Sequence, residues 1–479
     1  MSGIASWVTA KDLRHRLDAD FYRPEYLEFD HRAEARGLKM RQVVEISSLV
    51  TDGTHKTPSY VDSGVPFLSA KNIRNGFVDA GSGHKYVSAA EFDQLERWNC
   101  APQPDDVLVA KSGSIGSAGL ANGAYDRFAV FESAAIIRPS EVSPAYLSAY
   151  LNSCLGQLQI RRNSKGAVIR HLHLEDLREV EVPLPDRRIQ DYIGAKVELA
   201  ERCRVVASRE RERLGTELAT LYEGCPHDAL SSLTTTVAPA EIDGSRLDAW
   251  YHQRHFITLT DWLRRNPAFV ELGKVASLSS DRWSPGAHVQ STFRYIEISN
   301  VDSSTGHVSH SEVPVKNAPS RARKLLRGFD VLASTVRPNR GAVGIVPDSL
   351  DGAVATTGFA VVRPVSKTDA FFLLAVLRHP ASTAQLMRCN TGSAYPAIEE
   401  SVLPQIWIPG ANPGIRKSLG ARELRRTTLL QTAVDLVEEA KADVEALIEG
   451  TLDVQAILAG TLKPSTAGDI PDLAEENAA

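Results

Sequence analysis

Two textures alternate along the chain. From about residue 38 to 185, and again from about 268 to 410, apolar residues come in short β-branched runs broken by Gly, Pro, Asn and Asp. VPFLSAKNI, DVLVAKSG and AVFESAAIIRP stand in the first stretch; FRYIEISNV, DVLASTV and ATTGFAVVRP stand in the second. Strand-length runs with turn signals between them predict a mainly β domain in each. A helix-like stretch follows the strands in both, PAYLSAYLNSCLGQLQIRR and AFFLLAVLRHPASTAQLM. The texture then changes. From Arg187 to Glu223 only Gly194 and Gly215 interrupt, and Ile193, Ala200, Ala207, Leu214 and Leu221 fall at seven-residue steps. After Pro413, Leu430, Val437 and Val444 step by seven, as do Ala433, Ala440, Leu447 and Val454. Two interleaved seven-residue series are the seam of a coiled coil. In the first helix the companion positions are Lys196, Cys203, Glu210 and Glu217, three of them charged, so its seam is the weaker one. A helix of this length with one apolar stripe still needs a partner to bury it. The two long helices are therefore expected to pack on each other, antiparallel.

The second half repeats the first. Arg16-Leu17-Asp18-Ala19 returns as Arg246-Leu247-Asp248-Ala249, and Asp106-Val107-Leu108 as Asp330-Val331-Leu332. The small-residue loop Gly116–Gly119 returns as Gly341–Gly344, AAIIRP as FAVVRP, Gly166 as Gly392, Leu177 as Leu403, and Val182-Pro183 as Ile408-Pro409. The spacing holds between 224 and 230 positions and the order never changes, as loop insertions in a duplicated unit would leave it. The expected fold class is α+β: two mainly β domains alternating with two long antiparallel coiled-coil helices, related by a pseudo-twofold axis. The expected boundaries are a lead-in segment (1–37), the first β domain (38–185), a central spacer helix (186–225), a linker with a second lead-in (226–267), the second β domain (268–410), a C-terminal spacer helix (411–462) and a disordered acidic tail (463–479). The helix seam is expected at Ile193, Ala200, Leu214, Leu221, Leu430, Val437, Val444 and Leu447.

A length of 479 residues allows two to four domains, and 43% apolar with 24% charged residues is the composition of a globular protein with ample core. No stretch approaches the roughly 18 uninterrupted apolar residues of a membrane span, and the first residues lack the pattern of a signal peptide. Five cysteines far apart, with no CxxC, argue against a disulfide framework or zinc knuckle and point to the reducing cytoplasm. The net charge of −5 does not advertise a nucleic-acid binder, but DNA affinity follows charge presented locally. Between Lys316 and Arg340 stand Lys316, Arg321, Arg323, Lys324, Arg327, Arg337 and Arg340 against one acid, Asp330. Arg161, Arg162, Lys165 and Arg170 form a second run without an acid. Either run alone could be a solvated face; two at related places in a duplicated chain favour DNA.

Catalytic chemistry is hard to find. The chain has no Asn/Asp-Pro-Pro-Tyr/Phe for amino-methylation, no GxGxxG after a strand and no GxxxxGK[ST]. Pro104-Asp105-Asp106 with Lys111 resembles a nuclease fragment, but the second copy reads GFDVLAST there, which favours a strand and turn. His55 has no second ligand at metal-binding spacing, so a loop-shaping or DNA-facing role is preferred. The Gly116/Gly119 and Gly341/Gly344 loops could cradle phosphate through backbone N–H groups, against a plain tight turn. Trp283 and Tyr295 could contact bases, but aromatics in a β domain are more often core, and that reading is preferred.

Asp52-Gly53-Thr54-His55-Lys56-Thr57-Pro58, followed by Lys71-Asn72-Ile73, and the endings GAVIRHLHLEDLREVEVPLP and GSAYPAIEESVLPQIWIP resemble the target-recognition domains of type I restriction-modification specificity subunits. RLDADFYRPEY and RLDAWYHQRHF resemble lead-in segments of that family. The second domain departs from the pattern, with SLSSDRWSPG in place of SLVTDGTHKTP. The resemblance implies a non-catalytic subunit that reads a bipartite, asymmetric double-stranded DNA target. It implies two adenine methyltransferase subunits as partners, joined by restriction/translocase subunits where the system also cuts. The cofactors, S-adenosylmethionine and ATP with Mg, would then reside in those partners and none in this chain, with no membrane involved. Arg or Lys reading guanine, and Asn or Gln reading adenine, are the usual side-chain codes. The candidates are His55, Lys56, Lys71, Asn72, Arg74, Lys111, Arg161 and Lys165 in the first domain, and Arg282, Lys316, Arg321, Arg323, Lys324, Arg337 and Arg340 in the second. Only a minority of such contacts read bases; the rest touch phosphate. The rival from another class is a self-contained DNA-modifying or DNA-cleaving enzyme with a divergent site.

Overall fold

The computed structural model describes residues 7–474 apart from 11, 12, 14–16, 75, 79–83, 123, 124, 164–170, 227–233, 243, 245, 288, 289, 393, 394 and 411. It is α+β, with several small sheets and two long helices. The chain divides into two compact units, one of residues 1–206 with 429–479 and the other of residues 207–428.

The first unit is built on a four-stranded antiparallel sheet in the order Ser47–Asp52, Ala134–Pro139, Val107–Ala110, Ala118–Leu120. Val107–Ala110 is buried on both faces, as its unbroken apolar run requires. A second sheet pairs Val65–Leu68 in parallel with Ala129–Val130 and antiparallel with Lys85–Val87, and Tyr60–Val61 forms its edge. The helix-like stretch 144–163 is two helices, Pro144–Asn152 and Cys154–Asn163. The break falls at Ser153, whose hydroxyl accepts from Gly156 N–H at 3.1 Å and donates to Tyr150 C=O at 2.7 Å. Lys39–Gln42 pairs with Glu181–Leu184, which closes the domain. Tyr146 and Tyr150, both fully buried, pin the helix to that closing strand by donating to Pro183 C=O and Glu181 C=O.

In the second unit the central antiparallel sheet runs Ala276–Leu278, Phe359–Pro364, Val331–Ser334, Val343–Ile345. Element by element, this is the chain order found in the first unit. Two helices again follow, Lys367–Leu377 and Pro380–Arg388, separated at a proline that takes the first helical position of the second. Val270–Glu271 pairs with Trp407–Ile408. The outer sheet keeps one parallel pair, Thr292–Ile296 with Val354–Thr356, but its edges are Ser311–Pro314 and Ala322–Leu325. The inner framework is alike in the two units, and the outer sheet is where they differ.

The long helices are Arg187–Leu221 and Pro413–Glu449. In the first unit Ile193 and Val197 share a core with Ala440, Val444 and Leu447. Lys196 Nζ lies 2.7 Å from Asp443, and Arg188 donates to Leu458 C=O, so the two chain directions are opposed there. In the second unit Leu214 and Leu218 share a core with Leu419. Arg422 meets Glu217 at 2.6 Å and Glu210 at 3.2 Å, and Arg425 meets Glu210 at 3.3 Å, again with opposed directions. Of the expected seam, Ile193, Ala200, Leu214, Val437, Val444 and Leu447 are buried. Leu221 and Leu430 are only half-buried, because the stripe passes through Leu218 and Leu429 instead. Val454 lies outside the second long helix. That helix stops at Gly450, whose φ of +80° ends it, and Val454–Leu458 is a separate turn. Residues 463–474 also depart from expectation, since Ala467–Asp469 and Pro471–Ala474 are helical and Leu473 is buried. Ile470 is buried as well, so two apolar side chains anchor this acidic stretch; residues 475–479 lie outside the described residues.

Candidate nucleic-acid interface

One ion pair sets the frame for both sites. In the first unit Arg138 makes a two-pronged bond to Asp106, Nε to Oδ1 and Nη2 to Oδ2 at 2.9 Å each, and Asp106 also accepts from Gln103 N–H. In the second unit Arg363 binds Asp330 the same way at 2.9 and 2.8 Å, with Arg327 N–H as the extra donor. Both carboxylates are buried, and their hydrogen bonds hold Arg138 and Arg363 above the usual guanidinium range. The residue before each aspartate, Asp105 or Phe329, takes a φ of +67°. These pairs tie the central strand to its neighbour and leave the loops at the opposite strand ends to vary. They also remove Asp106 from any metal-binding role with Lys111, which bonds elsewhere.

The Asp52–Pro58 loop is fixed by its glycine. A Cβ on Gly53 would lie 2.0 Å from Val130 O, so the loop can press this close to the Ala129–Val130 strand only without a side chain. Thr54 N–H then bonds Val130 O at 3.1 Å, and Thr54 Oγ accepts from Lys56 N–H at 3.1 Å. His55 projects outward, 68% exposed, with Nδ1 2.7 Å from Glu132 and Nε2 3.4 Å from Asp52. Lys56 sits 5.9 Å from the half-exposed Trp98 ring. Lys71, Arg74 and Arg161 are exposed.

Three candidates leave the set. Lys111 is buried in an ion pair with Asp52, and Lys324 is buried against Glu400. Asn72 is 2% exposed, and its side-chain oxygen accepts Ser69 N–H at 3.1 Å, closing a short turn. Each polar group is spent inside the protein, where a lost partner would leave a buried group unsatisfied. Arg162, beside Arg161, is likewise structural, bonded to Asp30 and Phe21 C=O. Lys165, with Gly166 and Arg170, lies outside the described residues.

In the second unit Lys316, Arg321 and Arg340 are exposed, and Arg282 is exposed with Glu400 at 3.7 Å. Arg323 is half-buried, its Nε donating to Ser320 C=O. Arg327 pairs with Asp281, which also bonds Arg363; these guanidiniums hold the Asp281 carboxyl below its ordinary range. Arg337 is half-buried on a left-handed backbone, its guanidinium 4.5 Å from the exposed ring of Tyr395. Sequence reasoning passed over Tyr395, although it stands three residues after the repeated Gly392. Trp283 and Tyr295 are buried in the core under the outer sheet. Among the described residues no group of three His, Cys, Asp or Glu could hold a metal ion, and no helix is long and apolar enough to cross a membrane.

No protein-family model matches the chain. Over 144 residues it is 25% identical to the HindI type I restriction enzyme specificity subunit of Haemophilus influenzae. The aligned segment spans 29% of this chain and 29% of that protein. Among solved structures, the type I restriction-modification S subunit from M. genitalium aligns over 86% of this chain and 95% of its own, at 12% identity and a TM-score of 0.42. The HsdS subunit from Thermoanaerobacter tengcongensis aligns over 87% of this chain and 97% of its own, at 17% identity and a TM-score of 0.27. The chain is similar to the specificity subunits of type I restriction-modification systems.

Proposed function

We propose that this chain is the DNA sequence-specificity subunit of a type I restriction-modification complex. Each unit carries one target-recognition domain, and the two domains read the two halves of an asymmetric, bipartite target. The observation that carries this reading is a shared framework with unlike loops: the same central sheet and the same Arg–Asp clamp, carrying DGTHKTP in one domain and DRWSPG in the other. A duplicated scaffold with divergent loops suits a protein that must contact two different sequences, whereas a duplicated enzyme would repeat its catalytic side chains. The long helices, taken as a coiled coil about a pseudo-twofold axis, would seat two adenine methyltransferase subunits in equivalent positions and set the gap between the half-sites. Methyl transfer, and cleavage where it occurs, would belong to those partners with their S-adenosylmethionine, ATP and Mg.

The test is to express the chain with the methyltransferase encoded beside it and to map modified bases across the host genome. The expected result is adenine methylation, one residue on each strand, in a motif of two short parts separated by a fixed gap. Methylation or cleavage by the purified chain alone, given S-adenosylmethionine or Mg²⁺, would favour the enzyme reading. A single uninterrupted motif would end the bipartite one.

A further inference from the structure

Arg337 occupies a backbone conformation that its counterpart in the first unit leaves to glycine. Its φ is +52°, a region side chains with a Cβ seldom enter. Counting forward from the equivalent strands Val107–Ala110 and Val331–Ser334 of the two units, the matching residue is Gly113, with a φ of +69°. The second unit therefore keeps a bulky side chain where the first has none, and such strain points toward a use.

The surroundings hold that side chain in one direction. Arg337 N–H donates to Pro396 C=O at 2.6 Å, and Ile398 N–H donates to Thr335 C=O at 2.9 Å, so residues 335–337 and 396–398 are zipped together. The Asn390 side chain clamps the second of these segments, its oxygen accepting from Gly392 N–H and Ala397 N–H at 2.9 Å each. A Cβ on Gly392 would stand 2.1 Å from Tyr395 O, so only glycine lets the backbone at 392 come this close to Tyr395. The Tyr395 ring is 64% exposed and carries the guanidinium on its face. A stacked guanidinium keeps its donors in the plane of a flat fork, which a flexible ammonium cannot do.

We infer that Arg337, held over Tyr395, is a base-reading residue of the second domain, and that its fork takes the paired acceptors N7 and O6 of a guanine in the major groove. A phosphate contact would need neither the strained backbone nor the aromatic floor, since a lysine on an exposed loop serves it. The inference rests on the DNA-reading function proposed above.

The test is selection from a randomised DNA duplex pool by the full chain assembled with its methyltransferase partner, followed by sequencing. The variants are R337G, R337K, Y395A and Y395F. R337G relieves the backbone and is expected to fold at least as well as the parent by thermal melt. It should lose preference at one G·C pair of one half-site by roughly tenfold or more, with the other half-site unchanged. R337K should lose the same preference despite keeping its charge, and Y395A should weaken it while Y395F retains it. If R337G and R337K select the parent motif in full, or lose affinity evenly over all sequences, Arg337 is not a base reader and the inference fails while the DNA-reading function stands. If the parent complex enriches no motif at all, that function fails and takes the inference with it.

Discussion

Glu201, on the first long helix, is 8% exposed, and one of its carboxylate oxygens has no hydrogen-bond partner among the described residues. Loss of hydration raises its pKa to about 7, and the nearby Arg204 offsets only part of that. An acid whose folded pKa stands above its unfolded value binds more protons folded than unfolded between the two. Its contribution is therefore favourable in acid and is lost as pH rises from about 4.5 towards 7. Glu201→Gln should raise stability at pH 7.5 by up to about 3 kcal/mol and leave it nearly unchanged at pH 4.5. Thermal melts across that range check this; a parallel pH dependence in both proteins would refute it. At Asp106 the expectation reverses. Asp106→Ala strands Arg138 in a part-buried site and should cost about 3 kcal/mol, read as a lower denaturation midpoint at unchanged slope.

At the level of elements, the seven-residue steps and the short β runs were legible because burial writes itself into spacing. What spacing could not reveal was the partner of each polar residue. Lys196, Glu210 and Glu217 looked like faults in an apolar seam. Their partners Asp443, Arg425 and Arg422 stand more than 200 positions away in the sequence. Lys111, Asn72 and Lys324 failed as interface candidates for the same reason: residue type shows hydrogen-bonding capacity, and only the fold shows where it is spent. Arg337 was picked for its charge, while the φ that distinguishes it from neighbouring cations belongs to the backbone. The helix pairs also carry a pattern the sequence held unread. Lys196 and Arg422 lie 226 positions apart, as do Glu217 and Asp443. The ion pair of one unit thus recurs in the other with both partners exchanged between helices. Charges at seam positions fix register at some cost in stability. Lys196→Glu should destabilise, and adding Asp443→Lys should recover about 1–2 kcal/mol of the loss. A double-mutant cycle with no coupling would mean that the apolar positions alone set the register.

For the molecule as a whole, the question is whether the helices determine the distance between half-sites. Lys196–Asp443 and Glu217–Arg422 pair residues whose numbers change in opposite senses along the two helices, which defines how to shorten both together. Removing residues 200–206 with 433–439 deletes one heptad from each helix and keeps both ion pairs. At about 1.5 Å per residue the loss is about 10 Å, or roughly three base pairs of B-DNA at 3.4 Å each. If the helices act as the spacer, a genome-wide map of methylation by the methyltransferase complex carrying the shortened protein should show both half-sites unaltered and the gap reduced by about that number. Under the proposed function, exchanging residues 38–185 for those of a relative should make the complementary change, replacing one half-site while the gap and the other half-site persist. The parent gap retained after the heptad deletion would show that the spacing is set elsewhere, in the loops or by the partner subunits. The domain exchange would still be expected to work in that case, because it depends only on each β domain reading DNA independently.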